Sequence, residues 1–210
     1  MLEVRGLYCE RDERILFKDL SFSIAPGKAL QIQGSNGSGK TTLLRILCGL
    51  NSDFSGEILW QETPVKQVRS EFCSDVFYLG HAPAINRTLS PTENLRWFSA
   101  SQGKTGNIDI STALDELGLA GYDDVPCFMM SAGQQRRVSL ARMKLTSARL
   151  WVMDEPFTAL DKRGVSEVEQ LLSDFVNAGG SLILTTHHPL QIACDIDVIN
   201  LDSRAQESES

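Results

Sequence analysis

Several things are scarce in this 210-residue chain, and each shortage excludes a class of protein. No uninterrupted apolar run approaches the roughly 18–20 residues of a bilayer-spanning helix, so no spanning segment is expected. There is no basic surplus: 20 Lys and Arg stand against 27 Asp and Glu, a formal balance of -7. That balance argues against a general nucleic-acid binder and against direct attachment to anionic lipid. The opening Met1-Leu2-Glu3-Val4-Arg5 has no basic stretch followed by an apolar one, so no secretory signal is read. Cysteine is sparse and scattered. Cys9, Cys48, Cys73, Cys127 and Cys194 form no CxxC, no CxxCH and no Cys/His ligand spacing, and read as reduced thiols, most of them packing residues. No repeat or low-complexity tract interrupts the chain before Ala205-Gln206-Glu207-Ser208-Glu209-Ser210, which is expected to be a flexible tail. What remains, at 42% hydrophobic and 22% charged residues, has the composition of an acidic, soluble, cytoplasmic globular protein.

The pattern that is present alternates strand and helix. Leu20, Phe22 and Ile24 share one face of a strand, Pro26-Gly27 turns the chain, and Ala29-Leu30-Gln31-Ile32-Gln33 forms a second strand. Leu43, Ile46, Leu47 and Leu50 then recur at helical spacing, with Gly49 near the helix end. Strand-like runs follow at 57–60 and 75–79. The middle reads as helical over 93–100, 110–118 and 134–145. Continuously apolar runs at 150–153 and 181–185 have the character of buried parallel strands, and 197–201 is a last strand. The expectation is an α/β fold with a mainly parallel sheet, antiparallel strands near the N-terminus and an inserted helical subdomain. As one domain over 1–204, its core spans 1–80 and 148–204 and its helical insert about 81–147.

Between the second strand and the first helix lies Gly34-Ser35-Asn36-Gly37-Ser38-Gly39-Lys40-Thr41, which fits G-x-x-x-x-G-K-[ST]. Glycines at 34, 37 and 39 let successive backbone N–H groups curl around phosphate oxygens. The helix starting near Lys40 adds its positive dipole end, Lys40 a charge for the β- and γ-phosphates, and Thr41 a hydroxyl for Mg2+. Thr42 follows inside the same turn. A second cluster, Leu150-Trp151-Val152-Met153-Asp154-Glu155, runs an apolar strand into two acids. Asp154 is thereby delivered to hold Mg2+, and Glu155 to orient or deprotonate an attacking water. An acidic turn closed by Pro156 is the purely structural reading of the same residues.

A third motif narrows the field. Ser131-Ala132-Gly133-Gln134 opens a helix, where Ser131 and Gln134 fit a capping box. Small residues at a helix N-terminus also suit an anion. With Met130 before it, Asp154-Glu155 after it, Ala159-Leu160-Asp161 next and His187 following Leu184-Thr185-Thr186, the order of motifs resembles that of the ATP-binding-cassette ATPases. The resemblance covers nearly the whole chain. It implies a head-to-tail dimer in which ATP lies between the phosphate loop of one copy and Ser131, Ala132, Gly133 and Gln134 of the other. It further implies Glu155 as catalytic base, His187 at the γ-phosphate, and Asp161 in the D-loop.

Three departures stand out. Met130 and Ala132 replace the usual Leu and Gly of the signature. His81, in Gly80-His81-Ala82-Pro83, occupies the place of the glutamine that senses nucleotide. Arg11, with Tyr8 nearby, falls where an aromatic ring usually stacks on adenine, and a guanidinium plane can stack in its stead. Within the family, Cys9-Glu10-Arg11-Asp12-Glu13-Arg14, Gly80-His81-x-Pro83 and Thr185-Thr186-His187-x-Pro189-Leu190 are similar to the ATP-binding subunits of haem exporters in cytochrome c maturation. That likeness implies ATP and Mg2+ as cofactors and separate transmembrane subunits as partners, on the cytoplasmic side of a bacterial inner membrane. No nucleic acid and no direct haem contact are expected. Trp97 and Phe98 are candidate anchors for the membrane partners, in a groove running from His81. Another small exporter with a different cargo, or a soluble cassette outside transport, would share the same core motifs.

Overall fold

The computed structural model describes residues 1–102 and 109–202; the expected tail at 205–210 lies outside the described residues. The chain opens with a hairpin of β1 (Leu2–Arg11) and β2 (Arg14–Ile24). Asp12 and Glu13 at its tip both have positive φ, 52° and 62°, the two-residue turn whose twist matches paired strands. β3 (Ala29–Gln33) leads into α1 (Lys40–Leu47). β4 (Ser55–Trp60) and β5 (Thr63–Pro64) return to the hairpin, giving an antiparallel sheet in the order β2-β1-β4-β5. Then follow α2 (Arg69–Asp75), β6 (Val76–Leu79), α3 (Pro91–Ser101), α4 (Ile110–Glu116) and α5 (Ala132–Leu145). β7 (Leu150–Asp154), α6 (Lys162–Asn177), β8 (Ser181–Thr185) and β9 (Ile196–Asn200) close the succession. A second sheet, in the order β6-β7-β8-β3-β9, has every neighbouring pair parallel. The expected α/β architecture is therefore observed, helices between 91 and 145 included.

The parallel sheet is buried on both faces, and strand parity decides which residue goes where. Leu150 and Val152 of β7, with Ile183 of β8, join α1 and the antiparallel sheet in one core. Trp151, Met153, Leu182 and Leu184 face the opposite way, into a core shared with α3, α4, α5 and α6. On α1 the apolar positions Leu43, Leu44, Ile46 and Leu47 are all buried. At roughly 1.5–3 kcal/mol for each such side chain, that stripe fixes how the helix behind the phosphate loop sits on the sheet.

The structure moves some expected boundaries. Leu50 lies past the end of α1 and is 55% exposed, so it is not part of the apolar stripe. Asp75 ends α2 rather than starting β6. Phe98 is buried, edge-on to Phe77 at 6.0 Å, and packs in the core while also lining the groove beside Trp97, which is 72% exposed.

The nucleotide cleft as candidate active site

β3, β7 and β8 run parallel and end on one edge, which is where parallel sheets present ligand sites. Gly34, Asp154 and Thr185 are brought there together; Asp154 and Thr185 are register partners. In the loop after β3, Gly34, Gly37 and Gly39 have φ of 151°, 83° and 98°. A Cβ on Gly39 would come within 3.1 Å of Leu16 Cβ, so Leu16 would have to give way by a few tenths of an ångström, on top of the strain of a left-handed φ. No side chain caps the first N–H groups of α1, so they remain available to an anion. The Lys40 ammonium donates to the carbonyls of Gly34 at 2.7 Å and Ser35 at 3.0 Å. Asp202 steadies the loop from outside, accepting from Ser35 N–H at 2.7 Å and from its hydroxyl at 2.9 Å. Ser38 Oγ is buried in the loop with no hydrogen-bond partner among the described residues.

Opposite the loop, Asp154 is 3% exposed and both its oxygens accept from hydroxyls: Thr41 at 2.6 Å and Thr185 at 2.7 Å. Glu155 comes next with φ +50°, a left-handed conformation that costs a non-glycine residue about 1–3 kcal/mol. Its N–H donates to the Thr185 carbonyl at 3.1 Å, and its carbonyl accepts from Arg136 at 2.8 Å. Its Oε2 accepts from the His187 backbone N–H at 3.3 Å. Oε1 lies 3.7 Å from His187 Nε2 and, though buried, has no hydrogen-bond partner among the described residues. It is a carboxylate oxygen with free acceptor capacity. The cleft between loop and acids measures about 490 Å3 and is lined by Asn36, Gly37, Gly39, Lys40, Thr41, His81, Asp154, Glu155, Thr158 and His187.

The Ser131 segment is held elsewhere. Ser131 and Ala132 are exposed and do not line this cleft. Ser131 Oγ accepts from Gln134 N–H at 3.2 Å while Gln134 Oε1 accepts from Ser131 N–H at 2.9 Å, which completes the expected capping box at the start of α5. Gly133 lies so close to the Ala159 carbonyl that a Cβ there would be 2.9 Å from it. Asp161 caps α6 through Gly164 N–H at 2.9 Å and pairs with Arg137 at 3.0 Å.

Residues 17–158 match the model of the ABC transporter family. The chain belongs to that family. It is an ABC ATPase, and its relatives agree along its length. The "Cytochrome c biogenesis ATP-binding export protein CcmA" of Hahella chejuensis is 48% identical over 201 residues, 96% of this chain and 95% of the relative. A putative ABC transporter ATP-binding protein from Pyrococcus furiosus has the same fold, with TM-score 0.80, 25% identity, and coverage of 97% of this chain and 98% of that one. An ATP-binding cassette solved as a dimer in a post-hydrolysis state with ADP and Pi superposes with TM-score 0.78 at 21% identity, covering 90% and 88% of the two chains.

The two residues expected to contact adenine are not brought to the cleft. Neither Tyr8 nor Arg11 is among its lining residues. The Tyr8 hydroxyl donates to Glu10 at 2.5 Å, and Arg11 lies 3.7 Å from Asp12. Arg14, across the hairpin, has its guanidinium 3.8 Å from where a Gly37 Cβ would be and is the basic residue nearest that part of the loop. Thr42 lies half-buried within α1 and outside the lining. His81 does line the cleft, as its replacement of the family glutamine implied. Sequence reasoning passed over Thr158, Asp202 and Arg136. Thr158 stands in the stretch Pro156-Phe157-Thr158-Ala159 between the acids and the D-loop, a placement that could have signalled it.

Proposed function

We propose that the chain is the ATP-hydrolysing subunit of a membrane-bound ABC export complex serving cytochrome c maturation, either exporting haem or releasing a haem-loaded chaperone. The observation that carries the catalytic part is the half-buried Glu155 side chain, which lines the same cleft as the phosphate loop and has one oxygen without a hydrogen-bond partner among the described residues. The biological part is supported by likeness over 96% of the chain to a protein named for cytochrome c biogenesis.

Loop N–H groups and the start of α1 bind the phosphates, and Lys40 exchanges its two carbonyl partners for phosphate oxygens. Thr41 and Asp154 supply the hard oxygen donors that Mg2+ requires, already in contact beside the loop. When bound, Mg2+ would neutralise charge on the β- and γ-phosphates. Glu155 Oε1 accepts a proton from water as its oxygen attacks the γ-phosphorus, the phosphoanhydride bond breaks, and ADP and phosphate leave. His187, beside that oxygen, orients the water and the γ-phosphate. The exposed Ser131 and Ala132, with the half-buried Gly133 and Gln134 that follow them, face a second copy, whose bound γ-phosphate they complete, with Asp161 at the same junction. Transmembrane subunits engage the groove lined by Ala84, Ile85, Leu89, Leu95 and Trp97 from the cytoplasmic side of a bacterial inner membrane. Haem itself is handled by those partners, and nucleic acid has no part.

Replacing Glu155 by Gln removes the base and keeps its size. ATP binding is expected to persist, turnover to fall by about 100-fold or more, and a dimer to accumulate with ATP. Undiminished turnover would sink the catalytic assignment. For the cargo, deletion of the gene should abolish c-type cytochromes; their normal appearance would point to another export substrate.

A further inference from the structure

Arg136 sits in the first turns of α5 and is 2% exposed. None of its hydrogen bonds reaches a carboxylate. Nε donates to the Pro156 carbonyl at 3.2 Å, Nη2 to Glu155 at 2.8 Å, and Nη1 to Gly80 at 3.0 Å and His81 at 3.4 Å. These carbonyls belong to the residues that follow two neighbouring parallel strands, β6 and β7. The planar guanidinium fork thus spans both strand ends at once, which a point charge could not do. Burial pushes its pKa down to about 10, while Asp154 and Glu155 act in the opposite direction. A buried cation is costly unless its geometry is used, and an apolar side chain could fill the same space.

Glu155 is where that geometry has an effect. Its φ of +50° persists only if the peptide groups on both sides are fixed. On the N-terminal side, Thr185 accepts from the Glu155 N–H with its carbonyl and its hydroxyl. On the C-terminal side, Arg136 holds the Glu155 and Pro156 carbonyls. Without the guanidinium, the backbone is free to rotate toward an unstrained region and to carry the carboxylate off the cleft. The same fork fixes Gly80 and His81, whose side chain lines the cleft.

We propose that Arg136 is a positioning residue for hydrolysis, aiming the Glu155 carboxylate and the His81 segment at the phosphate loop through backbone carbonyls alone. This rests on Glu155 as the general base. It separates Arg136 from the phosphate loop, which it does not touch, so nucleotide affinity and turnover should part company.

The test compares Arg136→Met and Arg136→Lys in the full-length chain, with ATP affinity by equilibrium dialysis and steady-state turnover measured on the same samples. Displacing a reacting group by about 1 Å costs on the order of 100-fold. Arg136→Met should lose about that much in kcat with Kd changed by less than about threefold. Arg136→Lys, which keeps the charge but not the fork, should lose about tenfold. If Arg136→Met does not fold, the lysine variant decides alone. Added to Glu155→Gln, Arg136→Lys should cause no further loss, whereas independent effects would multiply. Parental kcat in Arg136→Lys, a Kd that rises in step with the loss of kcat, or full multiplication in the double variant would overturn the proposal. Normal turnover by Glu155→Gln alone would remove the general-base reading and this proposal with it. A dead Glu155→Gln beside a fully active Arg136→Lys would remove this proposal only.

Discussion

Arg136 and Arg137 are adjacent in sequence and live in different electrostatic worlds. The first is buried among carbonyls; the second pairs with Asp161 at 3.0 Å and with Glu167 at 2.8 Å. Asp161 is held below the usual carboxylate range mainly by the Gly164 N–H, with Arg137 adding to it. For Glu167, burial pushes the carboxyl up, but hydrogen bonds from Arg137 and Arg163 outweigh burial and leave it lowered. Lowered carboxylates contribute stability above their unfolded pKa and lose it as pH falls through the folded value. The stability gap between parent and Arg137→Met should therefore be widest at neutral pH and narrow as urea midpoints are followed down toward pH 3. A gap of constant size across that range would assign the loss to packing of the arginine stem. Such roles are hard to read from a chain. The residues that present themselves by motif, Lys40, Thr41, Asp154, Glu155 and His187, are all placed at the cleft. Arg136 declares itself only through carbonyls 19 to 56 positions away, and Asp202 through a serine 167 positions distant.

At the scale of elements, legibility followed the strength of the local signal. α5 starts where Ser131 and Gln134 form the expected box, and α3 starts with the same device, Ser90 with Glu93, and Pro91 in its first turn. α6 carries buried Val168, Leu172 and Val176 at helical spacing behind the Asp161 cap, a periodicity present in the sequence outside the runs expected to be helical. α2, with seven residues and only Phe72 buried among its apolar ones, has no period to find. β1 defeats a period-two reading for a definite reason. Leu2 and Val4 point inward, the register shifts around Gly6 with its φ of +56°, and Leu7 and Cys9 resume in the opposite phase. The α3 cap offers a clean stability test because its serine is only 4% exposed and lies outside the cleft lining. Ser90→Ala leaves the Glu93 N–H without its partner and should cost about 1 kcal/mol. For a domain of this size that lowers Tm by about 2–4 °C. A Ser90→Thr variant, which restores an acceptor, should recover most of the loss in a thermal melt.

Across the whole molecule, the motifs fall into two groups that the dimeric reading would bring together. The phosphate loop, Asp154 and Glu155 meet in one cleft, while Ser131 and Ala132 stand exposed outside it. If those residues complete a second copy's site, defects in the two half-sites must complement each other in a specific way. Lys40→Ala disables the loop and Ser131→Arg blocks the facing segment, so each variant alone should be inactive. In a mixed dimer, both lesions converge on one composite site and leave the other with an intact loop from one chain and an intact serine from its partner. An equal mixture should thus regain about a quarter of parental turnover, since half the dimers are mixed and each has one working site. If loop and serine instead acted within a single chain, every site in every dimer would carry a lesion and the mixture would stay dead. Titrating one inactive variant into the other while following phosphate release distinguishes the two geometries. A maximum at equal amounts is the signature of sites shared between copies.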